Sequence, residues 1–180
     1  MSSLFVEAEE KLAALALQSL DGEELDVVVG GLGLGYTAAK ALENEAVRSL
    51  RVIETMAPVI SWHRLALVPL GDKLALDSRC SLVHGDFFKL ASSSGGFDPD
   101  NPGRLFHAVL LDIDHSPSHW LDTGNSAFYT DSGLTALAAS LHPGGVFGLW
   151  SNDPPDEAFV SLLGEVFASA KFHLVTFANP

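Results

Sequence analysis

The stretch that most limits the fold is Val27-Val28-Val29 followed at once by Gly30-Gly31-Leu32-Gly33-Leu34-Gly35. Three β-branched residues read as a buried strand, because such side chains fit a pleated sheet and lose rotamer freedom in a helix. Four glycines among the next six positions read as a sharp exit from that strand, with bare backbone open to close approach by another group. A helix from Thr37 to Asn44 completes a strand–turn–helix unit. Such units build parallel sheets, whose strands need long crossovers between them. The rest of the chain agrees. Apolar runs at Leu25–Val29, Leu50–Ile53, Ser81–His84, Ala108–Asp112, Val146–Trp150 and Phe172–Phe177 alternate with helical stretches over 4–20, 37–44, 57–67, 130–141 and 156–170. The runs are continuously apolar, which marks strands covered on both faces. With right-handed crossovers, the reading is a three-layer, doubly wound α/β fold with a mostly parallel sheet.

The 180 residues suit one domain with one sizeable core. Its first 24 residues are expected to form a leading helix, striped by Leu4, Ala8, Leu12 and Leu15, that packs on the rest. Ser92–Gly103 is a loop by composition, and His142-Pro143-Gly144-Gly145 a stop and turn. A formal charge of -13 repels phosphate backbones, so nucleic acid is not an expected partner, while a cationic small molecule is. Cys80 is the single cysteine, which excludes a disulfide framework and a cysteine zinc site within one chain. Acids stand where a signal peptide carries its basic residues. No run approaches the roughly 18 to 20 apolar residues that span a bilayer. A cytoplasmic protein with no membrane association is the expectation. An exposed sheet edge would invite pairing with a second copy, so a homo-oligomer is a further one.

In such sheets ligands bind beyond the carboxyl ends of the strands, near the switch in strand order. The residues that follow each strand are therefore the candidates. They are Gly31, Gly33 and Gly35 after the first, Glu54 after the second, Asp86 and Phe87 after the third, Asp112, Asp114 and His115 after the fourth, and Trp150 after the fifth. The glycines free backbone N–H groups for a carboxylate or phosphate. Tyr36 breaks the dinucleotide spacing G-x-G-x-x-G, and no Gly-Lys-Ser/Thr completes a phosphate-binding P-loop. Glu54, 19 residues beyond Gly35, suits the two hydroxyls of a ribose. Asp86 suits an exocyclic amine or, equally, the cap of the next helix. Trp150 can stack on a ring or cover the sheet edge. His115 and His119 have metal-ligand spacing, but Pro117 separates them and no ligand cluster follows, so no metal is expected. His63 and His173 read as structural or surface residues.

Together these residues resemble the spermidine synthase group, aminopropyltransferases within the class I S-adenosylmethionine-dependent methyltransferase fold. The resemblance covers about Leu4 to Phe177. It rests on Val29–Gly35, Val52-Ile53-Glu54 with Val59-Ile60, Val83–Asp86, Leu110–Asp112, Ala127–Thr130 and Leu141–Val146. It implies that the glycine loop, Glu54, Asp86 and Phe87 hold S-adenosylmethionine or its decarboxylated form. It further implies that Asp112 helps deprotonate an attacking amine, and that Asp114, His115 and Trp150 line the acceptor site. Several positions depart from the group. Gly33 stands where it keeps a loop aspartate, Met56 where it keeps a second acid, and His115 where it keeps a second substrate aspartate. The group's small N-terminal β domain is missing, and its last antiparallel strand is expected to be missing too. The activities implied are aminopropyl transfer to a small amine, methyl transfer to a small molecule, or nucleoside binding without catalysis.

Overall fold

The structure is a computed structural model that describes residues 6–176. Five parallel strands lie in the order β3-β2-β1-β4-β5: β1 Leu25–Gly30, β2 Val47–Glu54, β3 Cys80–His84, β4 Phe106–Leu111 and β5 Leu141–Leu149. Seven helices flank them: α1 Glu7–Gln18, α2 Tyr36–Leu42, α3 Ala57–Arg64, α4 Gly71–Leu76, α5 Phe87–Ala91, α6 Asp131–Ala138 and α7 Glu157–Val166. The doubly wound α/β expectation holds. Successive strand residues feed opposite layers, as period-2 geometry requires. Val27, Val29, Ala108 and Leu110 join an aliphatic core with α1 to α4. Val28, Val109 and Leu111 join a second core that is strongly aromatic, built on Phe87, Phe97, Phe106, Phe128 and Tyr129.

Two expectations need correction. Residues 172–176 pair with no strand, and Phe177 lies outside the described residues, so the sixth strand is not found among them. The turn at residues 142–145 interrupts β5 rather than preceding it. Phe106 pairs Leu141 and Ala108 pairs Val146, so the intervening residues bulge out, with Gly144 at φ 80°. The Ser92–Gly103 stretch is the expected loop, and it is more than a solvated one. Its Phe97 is fully buried in the aromatic core, and its Asp98 is buried in an ion network.

That network anchors the loop at the amino ends of the strands. Arg104 donates to Asp98 at 2.9 Å, to Asp26 at 2.9 Å and to Ser49 Oγ at 2.8 Å. Arg48 also pairs with Asp26, and Arg51 with Asp98. Burial by itself raises the Asp26 carboxyl; hydrogen bonds and charge from Arg48 and Arg104 outweigh it and hold the group below the usual carboxylate range. We expect Arg104→Met to cost about 2 kcal/mol in urea denaturation at pH 7, because it strips charged hydrogen bonds from two buried carboxylates. A depressed carboxylate adds stability above its unfolded pKa and loses it as pH falls through the folded one. The difference between Arg104→Met and the parent should therefore shrink below about pH 4.

Candidate functional site

Strand register brings the candidates together. Gly30 pairs Ile53 on one side and Leu111 on the other; Glu54 pairs His84; Leu111 pairs Leu149. The strands thus end on nearly one line, and Gly31, Glu54, Asp86, Asp112 and Trp150 emerge along one sheet edge. The sheet changes direction between β1 and β4, so Gly31 and Asp112 face each other across the switch.

Three of the loop's glycines are required by the protein itself. A methyl group on Gly30 would strike the Phe87 ring, and one on Gly31 the Asp112 carbonyl oxygen. At Gly35 it would come within 2.5 Å of Leu74 and 3.0 Å of the His63 ring. Gly31, Gly33 and Gly35 also have φ of 93°, 48° and 93°, which disfavour residues with a Cβ. The loop is held by Glu54, whose carboxylate accepts from Leu32 N–H at 3.1 Å and from Met56 N–H at 2.8 Å. The Thr55 hydroxyl lies 3.5 Å from the same carboxylate, and three donors still leave room on a group that can take about four. Among the described residues, no acceptor faces the N–H groups of Gly33 and Leu34.

Asp112 continues from β4, its N–H donating to the Gly30 carbonyl at 2.8 Å. Thr37 Oγ1 donates to Asp112 Oδ2 at 2.8 Å and lies 3.4 Å from the Glu9 carbonyl oxygen. Burial pushes the Asp112 carboxyl up to about 6; the Thr37 hydrogen bond opposes this, and the Glu9 charge adds to it. Glu9 is raised in turn, chiefly by its own burial. Thr37 and Glu9 were not legible as site residues. Nothing local in a leading helix says that its first turn reaches the end of β4.

The other candidates are placed as follows. Asp86 caps α5, accepting from the N–H groups of Phe88 and Lys89, and pairs with the Lys89 ammonium. Phe87 is buried in the aromatic core, edge-on to Phe128. Asp114 is buried and accepts from Leu121 N–H, Asn125 Nδ2 and the Tyr129 hydroxyl, so it ties down the loop after β4. His115 is exposed, and its carbonyl accepts from Asn152 N–H at 2.8 Å. His119 pairs with Asp153, stapling the loop after β4 to the one after β5. Trp150 closes β5, and its indole Nε1 is buried without a partner. No group of three or more candidate ligands able to hold a metal ion occurs among the described residues. Nor is any helix among them long and apolar enough to cross a membrane.

No protein-family model matches the chain. Among solved structures, a spermidine synthase in complex with the transition-state analogue AdoDATO matches with a TM-score of 0.69 at 20% identity. That match covers 91% of this chain and 53% of the other. Spermidine synthase from Thermotoga maritima gives 0.67 at 20% identity, covering 91% and 52%. The chain has the fold of these enzymes. It spans about half their length. The glycopeptide N-methyltransferase MtfA, complexed with sinefungin, gives 0.50 at 20% identity over 81% of this chain and 54% of its own. A fold shared this widely fixes where a site sits but not its reaction.

Proposed function

We propose that the chain binds a nucleoside of the S-adenosylmethionine type and supports transfer of an alkyl group from it to a small amine. The observation that carries this reading is the meeting of the glycine loop, Glu54 and a half-buried, Thr37-bonded Asp112 at the β1/β4 switch. The free valence of Glu54 suits a ribose hydroxyl. Asp86 Oδ2, which pairs with the exposed Lys89 ammonium at 3.2 Å, has a second lone pair that suits an adenine amine. The left-handed backbone at Gly31, Gly33 and Gly35 shapes the loop that would receive the nucleoside's tail. His115 and Trp150 flank the acceptor side. When bound, such a nucleoside supplies an electrophilic carbon attached to a sulfonium. Asp112 holds the acceptor ammonium and accepts its proton, either directly or through water. A carboxyl near 6 is ionised at neutral pH yet basic enough for that task. With Glu9 beside Asp112, the site's charge suits a cation.

The transferred group divides two versions of this reading. Aminopropyl transfer follows from the likeness to spermidine synthases. Methyl transfer is favoured by Gly33 and the unpaired N–H groups of Gly33 and Leu34, which can receive the carboxylate that only intact S-adenosylmethionine carries. Titration calorimetry should separate them. Tighter binding of the decarboxylated nucleoside supports aminopropyl transfer, and tighter binding of the intact one supports methyl transfer. Failure to bind either, or methylthioadenosine, would sink both.

A further inference from the structure

His63 is fully buried in α3, yet it is not an apolar residue's equivalent. Its Nε2 lies 3.0 Å from the Gly33 carbonyl oxygen. A carbonyl only accepts, so Nε2 bears a proton and donates it to Gly33. Among the described residues Nδ1 has no hydrogen-bond partner. A buried, unsatisfied ring nitrogen is a standing cost to the fold that an apolar side chain of similar volume would avoid. What the ring gains against that cost is its hydrogen bond to the backbone of the glycine loop. The same ring also fills space that a Cβ on Gly35 would need, its Cε1 lying 3.0 Å from that position. His63 therefore touches the loop at two glycines, on either side of Leu34, and the N–H groups left without acceptors are those of Gly33 and Leu34.

Gly33 has φ of 48°, a conformation glycine shares readily with many others, so the loop does not hold this shape by intrinsic preference. Turning the Gly33 peptide plane would swing the carbonyl away from His63 and re-aim the N–H of Leu34, which belongs to the same peptide unit. We propose that His63 is a positioning residue, a clamp beneath the glycine loop that fixes this peptide so that the loop's free N–H groups stay aimed at the ligand. The proposal rests on the reading of the loop as a nucleoside site. His63 itself need touch neither nucleoside nor acceptor. What it supplies is preorganisation: the bound shape of the loop is already formed, and binding spends nothing on ordering it.

Three variants of the full chain test this: His63→Leu, His63→Asn and His63→Gln. Glutamine extends an amide N–H to about the reach of Nε2. Asparagine is polar but stops near Nδ1. Leucine removes the donor. The clamp predicts that Leu and Asn weaken S-adenosylmethionine binding about tenfold, the worth of one well-placed hydrogen bond, while Gln stays near the parent. It also predicts faster amide hydrogen exchange in Leu and Asn at Gly35, whose N–H donates to the Leu32 carbonyl across this peptide, and parent-like exchange there in Gln, with melting temperatures recorded for all. The exchange comparison needs no ligand. If the parent binds no nucleoside, the functional reading falls while the exchange data still decide the clamp. Exchange and affinity unchanged in Leu and Asn would overturn it. So would losses in Gln as large as those in Leu.

Discussion

Asp112→Asn should remove transfer activity and at the same time stabilise the fold above pH 6. Loss of a general base typically slows a reaction about a hundred- to ten-thousand-fold, and single-turnover assays with S-adenosylmethionine-type donors would read it. Nucleoside affinity should stay near the parent's, because Thr37 can still donate to the amide oxygen. The stability effect has a definite sign. Burial holds the Asp112 carboxyl at about 6 in the fold, above its unfolded value. A raised carboxyl leaves stability intact at low pH and erodes it as pH rises from about 4 through 6. At pH 8 the ionised group costs up to about 3 kcal/mol, less what its residual solvent contact recovers. Asparagine abolishes that cost, so urea midpoints should separate at pH 8 and converge at pH 4. Thr37→Val supplies a control in the opposite direction. It removes the hydrogen bond that favours the ionised form, and the acidic limb of the rate profile should move to higher pH. Equal midpoints for Asp112→Asn and its parent at both pH values would show that the carboxyl is not held as described.

Gly31→Ala should destabilise by about 3 kcal/mol or more. Part of this is overpacking, about 1–3 kcal/mol, since the new methyl strikes a backbone oxygen that cannot rotate away. The rest is the left-handed φ of 93°, about 1–2 kcal/mol for a residue with a Cβ. The obstacle is the Asp112 carbonyl itself. Any relaxation that admits the methyl must displace Asp112, and nucleoside binding should fall together with stability. Gly22→Ala is the natural comparison: its φ is 123°, but a methyl there meets nothing within 4 Å. Its cost should be the backbone part alone, with binding intact. If Gly31→Ala were no worse than Gly22→Ala, the close approach of β4 to the loop would be refuted.

The contrast between these glycines shows what the sequence could and could not reveal. Val27–Val29 running into Gly30 announced a strand and its exit, and Thr130 and Asp156 sit where their side chains cap α6 and α7. Why each glycine is glycine was not legible. The spacing suggested room for a ligand, whereas Phe87, the Asp112 carbonyl, His63 and Leu74 already occupy the space that a Cβ would need. Composition made Ser92–Gly103 a loop but did not show that Phe97 plugs one core and Asp98 gathers two arginines. The short α4 and the 3-10 turn at Thr123–Tyr129 carry too few residues for a periodic signal. Asp112, Glu54 and Gly31 were readable because strand ends in a parallel sheet share one edge. Glu9, Thr37 and His63 reach that edge only through tertiary packing.

The near-level ending of the five strands has one more consequence. In a parallel sheet with two different cores, one aliphatic and one aromatic, a slip of a single residue would exchange the layers that Val28 and Val29 serve. The same slip would carry Glu54 or Asp112 one rung out of step with Gly31. Correct alignment of the hydrophobic interior and assembly of the proposed ligand site are therefore a single event in folding. Capture of a nucleoside would report on native strand registration as directly as any spectroscopic probe of the core.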